Sequence, residues 1–481
     1  FWYDIFPQIM FARLYDLYPD TAYMKEMVIN GADQWLEALP YFQKDGSVSY
    51  EFVGYNVVLE SPTTVGPHIE PPNGGLAFLF YSAYVITGEQ KYLNGAKEVL
   101  DYLETYPRNP NYEAMTDYAP FVAAALNSRY GTSYDISKLL DFLFESDSAF
   151  RPGWRVMDGS FGGYAVDGFV GQSGDYGFAM NSFHLASVLA PMVKYDPRYA
   201  AEIGKYLLNL VNNAKAFFPQ SVPLARQTMT RYLDYDVSGS LCYEGFRNSY
   251  NGVNGLAMGD ATAMFGQPSD LSIYSSAFVG ALGGMVSPTN VHGILRIDLN
   301  KTDSFGLNQY AQSLFYNPHA SQRTIQYHPQ TMERYDLFDA VTKQIVARNV
   351  QGQVNVRIQP KEARLLIELP ANSRFDRQGD QVLVNGIVVS TYKPAVNITN
   401  LSSRQELTRS SDIRFSYQAN RGDEVVRMQI YFGTILAYDG APLPVFRYDK
   451  SLLPDTDYTM KVVITTALGR TDVASKRVVA R

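Results

Sequence analysis

Apolar residues recur at helical spacing through the first 290 residues, in segments that come in pairs. Residues 5–18 and 21–39 make the first pair. Asp20-Thr21 opens its second helix, and Met24, Met27, Val28, Ala32 and Trp35 follow at helical intervals. The pattern returns at 74–87 with 90–105, at 115–129 with 135–147 and at 178–193 with 197–217. A fifth, weaker pair lies near 255–264 and 270–285. Within a pair the joints are short: Thr87-Gly88-Glu89-Gln90, Tyr130-Gly131-Thr132-Ser133-Tyr134 and Tyr195-Asp196-Pro197-Arg198-Tyr199. Tyr23, Tyr92, Tyr134 and Tyr199 stand at or near the start of second helices, which marks a repeated unit. Between pairs the connections run roughly over 40–73, 106–114, 148–177 and 218–254, crowded with aromatic, acidic and glycine residues. Pairs stacked side by side place every short turn at one end and every long loop at the other. One end is then scaffold and the other a site.

The first helix of a pair is apolar all round, as in Leu76-Ala77-Phe78-Leu79-Phe80 and Phe121-Val122-Ala123-Ala124-Ala125-Leu126. A helix apolar on every face is buried on every face. The second helices carry charge on one side, as with Lys91, Lys97, Glu98, Asp101 and Glu104. Inner helices ringed by outer ones follow, with the long loops entering at the inner N-termini.

After about residue 290 the period changes to two. Ile294–Leu299, Val354–Ile358 and Arg364–Leu369 read as strands, and Gln381–Val384 runs into the turn Asn385-Gly386. Lys393-Pro394 marks a further boundary. Beyond it Ile413–Tyr417, the alternating Val426, Met428 and Ile430, and Lys461–Ile464 suit a small sandwich. The expected fold is multidomain α + β: helical hairpins over 1–290, a β-sandwich over 291–393 and an immunoglobulin-like β-sandwich module over 394–481.

Charge and cysteine usage narrow the function classes. A net charge of −7 with no Lys/Arg stripe excludes the counterion-release mode of nucleic-acid binding. The single cysteine, Cys242, excludes an intrachain disulfide and a cysteine metal cage, and reads as a small buried apolar group. No run of about 18 apolar residues predicts a membrane span. His68, His184, His292, His319 and His328 form no i, i+4 pair, so no metal site is expected, and Gly283-Gly284 follow a helix without forming a phosphate cradle. No cofactor is expected. The 36 tyrosines suit both large aromatic cores and surfaces that stack on flat, hydroxyl-rich ligands. The chain opens on Phe1-Trp2-Tyr3-Asp4, which reads as the middle of a folded element. The expectation is a bacterial extracellular or periplasmic protein, attached to the surface through a removed upstream segment.

The runs Asp158-Gly159-Ser160-Phe161-Gly162-Gly163-Tyr164, Met180-Asn181-Ser182-Phe183-His184 and Ser287-Pro288-Thr289-Asn290-Val291-His292-Gly293-Ile294, with this element order, carry a resemblance. Over roughly residues 1–390 the chain resembles the six-hairpin glycosidase superfamily, an (α/α) toroid followed by a β-sandwich. The resemblance implies a carbohydrate substrate and polysaccharide degradation. The superfamily and related toroids include glycoside hydrolases, unsaturated-uronide hydrolases and polysaccharide lyases.

A glycoside hydrolase needs two opposed carboxyl groups, one donating a proton to the leaving oxygen and the other activating water or attacking carbon. The long loops supply Asp158, Asp167, Asp175, Asp234, Asp236, Glu244 and Asp260, with Glu70, Glu113 and Asp117 earlier. Asp175, in a Gly174-Asp175-Tyr176-Gly177 turn before an apolar helix, and Glu244, in the apolar run Leu241-Cys242-Tyr243-Glu244-Gly245-Phe246, are the expected catalytic pair. Against this stand a capping role for Asp175 and a structural ion pair between Glu244 and Arg247 or Arg231. Asp158 and Asp167, each before a glycine, are catalytic candidates that read equally as turn residues. Trp154 is the candidate sugar-stacking platform, and His68 and Glu70 would line the opposite wall. A second constellation, Asn181 and His184 on one helix face with Tyr164 or Tyr176 and Arg247, suits a uronate-polymer lyase. The alternative for His184 is a satisfied core histidine. A non-catalytic glycan-binding protein remains the third reading.

Overall fold

The computed structural model describes every residue except 1, 50, 51, 53, 64–72, 229–238, 260–275, 307–308, 403, 409–410, 420–422, 450, 452 and 481. The described helices lie before residue 290 and mostly antiparallel sheets fill the rest, a mixed α + β architecture. The helices pair as α1 (Trp2–Leu17) with α2 (Met24–Ala38), α3 (Asn73–Thr87) with α4 (Gln90–Thr105), α5 (Tyr118–Arg129) with α6 (Ile136–Phe144), and α7 (Ala179–Tyr195) with α8 (Ala200–Asn213). α1 packs on α3, α3 on α5, α5 on α7, and a short α9 (Val279–Met285) on α7. α1, α3, α5, α7 and α9, called the inner helices below, thus pack in series. α7 is buried through nearly its whole length, from Ala179 to Tyr195. α4 buries one face only, through Tyr92, Leu93, Ala96, Val99, Leu100 and Leu103. Gly74 lets the N-termini of α3 and α5 touch, because a Cβ there would lie 2.5 Å from the backbone nitrogen of Ala119 and 2.7 Å from the carbonyl oxygen of Met115. The start of α2 differs from the capping expectation. Its N-cap is Tyr23, in a left-handed conformation with no side-chain cap, and Asp20-Thr21 fall in the turn before it.

Two of the long connections fold into one antiparallel sheet. Strands β1 (Trp154–Val156), β2 (Val170–Gln172), β3 (Tyr176–Phe178), β4 (Gly245–Tyr250) and β5 (Val253–Met258) pair in chain order. β5 occupies residues expected to open a fifth helix. The reason is the two-residue turn Asn251-Gly252, at φ 48° and φ 81°, between paired Tyr250 and Val253. Asn-Gly accepts the two left-handed conformations of a tight hairpin, and the turn commits its flanks to strand. Of the rest of that pair, 260–275 lies outside the described residues, and α9 occupies the end of the expected second helix.

The other end of the inner helices rests on the strand-rich half. There β6 (Val286–Pro288), β7 (Leu295–Asp298), β8 (Gln312–Tyr316), β9 (Arg323–Tyr327), β10 (Tyr335–Asp339), β11 (Gln344–Val350), β12 (Val354–Ile358) and β13 (Ala363–Pro370) follow. Six of them form a sheet ordered β6-β7-β8-β13-β10-β11, while β9 pairs with β12. α8 packs on β8 and β13, so one apolar core runs from helix into sheet. Polar ties reinforce it. The Lys194 ammonium lies 2.6 Å from Asp303, Tyr195 donates to the same carboxylate at 2.9 Å, and the Lys393 ammonium donates to the Thr132 carbonyl at 3.1 Å. A separate apolar cluster, from Val396 to Ala480, lies in the C-terminal strands.

Candidate active site

The long-loop end is built on the N-termini of α3, α5 and α7. Asn73, first residue of α3, donates to the Thr116 hydroxyl at 3.2 Å, just before α5. α7 starts where β3 ends, and its first backbone N–H, on Ala179, donates to the Glu244 carbonyl at 2.8 Å. Ser182 accepts from the Val170 N–H at 2.9 Å and so pins β2 onto the helix. The sheet of β1–β5 is thereby fixed against the first turn of α7.

A chain of polar groups lies beneath this rim. Asp117 precedes α5 without capping it. Its carboxylate instead meets His184 Nδ1 at 2.8 Å, and His184 Nε2 meets the Tyr118 hydroxyl at 2.7 Å. All three are buried. Burial and the Glu113 charge push the Asp117 carboxyl well above its usual range. Burial and the Arg13 guanidinium hold the His184 imidazole neutral, well below its ordinary value. Burial lifts the Tyr118 phenol to about 12. Phe6 and Phe278 pack edge-on against His184 at 5.5 and 5.1 Å. His184 is thus fully buried with both ring nitrogens engaged.

Glu113 stands above this chain. It is half-buried, in the loop before α5, and its carboxylate accepts from the Asn181 amide at 3.4 Å. Its backbone is left-handed, at φ 53°. Outside Gly, Asn and Asp that conformation costs about 1–2 kcal/mol and gathers at functional positions. Asn181 is 2% exposed, so its amide is committed inside the site. Glu244, 6% exposed, approaches the same first turn of α7 from the other loop, through its contact with Ala179.

The remaining sequence candidates are placed as follows. Asp175 pairs with Arg247 at 3.0 Å, its side chain half exposed. In the β3–β4 register Gly245 lies opposite Phe178 and Arg247 opposite Tyr176, and the Asn248 N–H donates to the Asp175 carbonyl. Asp175 is thus four register positions from Glu244, about 13 Å of strand. Facing glycosidase carboxyls stand about 5–9.5 Å apart. The register does not bring the two together as a pair. Asp158 is exposed and paired with Arg155. Asp167 is half-buried, and its carbonyl accepts from Asn213.

Trp154 does not present the open face expected of a platform. It is fully buried, with Tyr112 and Phe178 at 5.1 and 5.4 Å and the Arg151 guanidinium 5.0 Å over its ring. The two aromatic partners, Tyr112 and Phe178, are distant in sequence, so no local apolar run announced the burial. Tyr176 is buried too, under the Arg247 guanidinium at 4.1 Å. Tyr164 is half-buried against Phe246, 5.2 Å away. His68, Glu70, Asp234, Asp236 and Asp260 lie outside the described residues. Cys242 is fully buried. Among the described residues no three His, Cys, Asp or Glu side chains cluster as metal ligands.

Glu113 is the residue that sequence reasoning passed over, naming it only among the loop acids. What sets it apart is the combination of a left-handed backbone and the buried Asn181 amide, neither of which Tyr112-Glu113-Ala114 signals.

No protein-family model matches the chain, and no curated protein does. Solved structures with some likeness include Ara127N-Se, a GH127 beta-L-arabinofuranosidase from Geobacillus stearothermophilus T6. That likeness covers 98% of this chain and 79% of that one, at 10% identity and a TM-score of 0.31. A second GH127 beta-arabinofuranosidase is covered over 73% of its length by 95% of this chain, at 12% identity and a TM-score of 0.26. Fibronectin(III)-like modules of Clostridium thermocellum CbhA match 18% of this chain and 94% of theirs, at 18% identity and a TM-score of 0.16. At such identities and scores the likeness carries no argument about activity.

Proposed function

We propose that this protein is a carbohydrate-active enzyme, a glycoside hydrolase whose saccharide cup lies at the long-loop end of an (α/α) toroid. The observation that supports it most is Glu113, a strained, half-buried acid held by a buried amide where two inner helices begin. In this reading Glu113 protonates the leaving oxygen and Glu244, on the other side of the first turn of α7, is the second carboxyl. Asn181 orients Glu113, and the half-buried Tyr164 lies along the same rim as a sugar contact. The burial of Glu244 suits a carboxyl shielded from bulk water, where electrostatic stabilisation of an oxocarbenium-like transition state is strongest. Residues 291–393 and the immunoglobulin-like module at 394–481 would serve as supports, and an extracellular or periplasmic setting goes with such a substrate.

Incubation with a panel of plant and bacterial polysaccharides and aryl glycosides tests the reading. New reducing ends that disappear with Glu113→Gln and Glu244→Gln support hydrolysis. Products with unsaturated, ultraviolet-absorbing ends would replace it with a lyase. Saccharide binding without turnover would replace it with a glycan-binding role.

A further inference from the structure

A cavity of about 210 Å³ lies at the short-turn end, where helices meet strands. Arg129 at the end of α5, Lys194 and Tyr195 at the end of α7, and Gln312 at the start of β8 border it. Its apolar wall is Ile387 and Val388, on the hairpin whose strands are Gln381–Val384 and Ile387–Thr391. That hairpin is tied down at two points. The Gln381 amide donates to the Ser128 carbonyl at 2.8 Å, and the Tyr310 hydroxyl donates to the Val384 carbonyl at 3.2 Å. The cavity is therefore built from fixed elements. It is also far from the proposed cup, because Asn181 and Lys194 sit at opposite ends of α7, about 20 Å apart along the helix.

Two properties of its lining call for a ligand. The first is charge. The charged lining residues, Arg129 and Lys194, are both cationic. Lys194 has its counter-charge in Asp303, whose side chain is fully buried and does not border the cavity. Arg129 donates to the Tyr81 and Tyr195 hydroxyls, and among the described residues it has no carboxylate partner. A guanidinium carries five N–H groups, so donors remain beyond those two. The second property is Gln312. It is 7% exposed, and its main chain is committed to the ladder with Ile367. Its side-chain Oε1 is buried with no hydrogen-bond partner among the described residues. A buried amide without a partner costs free energy that an apolar side chain of that size does not. Packing alone gives no reason for an amide here, and a hydroxyl donated from a ligand does. We propose that this cavity binds a small hydroxylated carboxylate, no larger than one sugar-acid ring, with its carboxylate on Arg129, a hydroxyl on Gln312 Oε1 and its C–H face on Ile387 and Val388. The guanidinium fork matches a carboxylate with two parallel hydrogen bonds, and Lys194 adds positive charge beside it. The volume sets the size limit, since sites for larger organic ligands run from about 300 Å³ upward. The site does not depend on the cup being catalytic.

Calorimetric titration of the full chain with glycerate and glucuronate tests the site, with acetate and glucose as controls that each lack one half of the recognition. At least one hydroxy acid is expected to bind. Glucose, without the carboxylate, should bind about tenfold more weakly or worse, and acetate, without the hydroxyls, about fivefold more weakly or worse. Gln312→Met should weaken the hydroxy acid about five- to tenfold and leave the melting midpoint of the empty protein unchanged or higher, because an unpaired amide has gone. Ile387→Trp, which fills the cavity from its half-buried wall, should abolish binding. Glu113→Gln, at the other end of the helices, should leave binding as it was. The proposal is overturned if neither hydroxy acid binds, or if acetate binds as tightly. It is equally overturned if binding survives Gln312→Met and Ile387→Trp and is lost in Glu113→Gln, which would put the ligand in the cup. A Gln312→Met chain that melts lower or does not fold also overturns it, since the amide then serves the fold. Binding here without any hydrolysis would remove the proposed function and leave this site standing, and hydrolysis without this binding would do the reverse.

Discussion

The two ends of the inner helices solve the problem of buried charge in opposite ways. At the short-turn end Asp303 gathers complementary partners. Asp303 accepts from Lys194 and Tyr195, and the Arg129 guanidinium donates to Tyr195 at 3.0 Å and lies 4.8 Å from its ring. At the long-loop end a carboxyl sits near a second carboxyl, and the histidine that touches it stays neutral. Complementary pairing makes a weld between helix and sheet. Like-charge proximity in a desolvated place disfavours the charged form of a carboxyl, an arrangement found both at catalytic sites and in structural networks.

The largest effect expected from this contrast is on stability at the welded end. Asp303→Asn leaves the Lys194 ammonium, 3% exposed, without its carboxylate. Breaking a buried pair from one side costs about 3–5 kcal/mol. Denaturant unfolding should show that loss with an unchanged slope. A loss below about 1 kcal/mol would mean that the network is no weld.

At the opposite end a substitution should stabilise. Glu113→Asn removes a like charge and supplies a residue that tolerates the left-handed conformation. Gains of about 1 kcal/mol are expected, together with a fall in hydrolysis of about 10²–10⁴-fold. A variant that loses both stability and activity would place Glu113 with the structural residues.

The docking of α6 on the C-terminal strands sharpens the comparison through pH. There Lys476 lies 3.1 Å from Asp141, yet burial raises the Asp141 carboxyl to about 7. Burial and neighbouring Asp135 raise Glu104 to about 7 as well. Both acids bind a proton more tightly folded than unfolded. Their stabilising contribution is therefore complete below pH 3.8–4.5 and is lost as pH climbs toward about 7. Melting followed by calorimetry should give a higher midpoint at pH 5 than at pH 7.5, and the difference should shrink in Glu104→Gln. A midpoint that falls on acidification would show these carboxyls to be ionised in the fold.

What the chain disclosed from its pattern was the alternation of short and long joints, since apolar periodicity and Gly-Glu or Asp-Pro turns are local signals. The run Tyr250-Asn251-Gly252-Val253 was equally local, and its hairpin was open to reading. Trp154 and Glu113 were not. The burial of the first depends on Tyr112 and Phe178 arriving from other segments. The significance of the second depends on one dihedral angle and on Asp117, whose carboxyl turns away from the helix it precedes. The spacing of Asp175 and Glu244 was not legible for a third reason: it is set by strand register between two separate loops.

Asp175 gives the smallest expected effect, and the one that separates charge from chemistry most cleanly. It is an acid in a glycine turn on the same sheet as the site, so composition alone makes it as good a candidate as Glu113. Its environment differs in each respect that matters. Its side chain is half exposed, its cation is present at 3.0 Å, and its own N–H is satisfied by the Gln172 carbonyl. An exposed ion pair contributes about 0–1 kcal/mol. Asp175→Asn should therefore change the unfolding free energy by less than about 1 kcal/mol and hydrolysis by no more than a few-fold. A loss of hydrolysis comparable to that of Glu113→Asn would move the catalytic acid to the sheet edge. It would also show that the Arg247 pair opens when substrate binds.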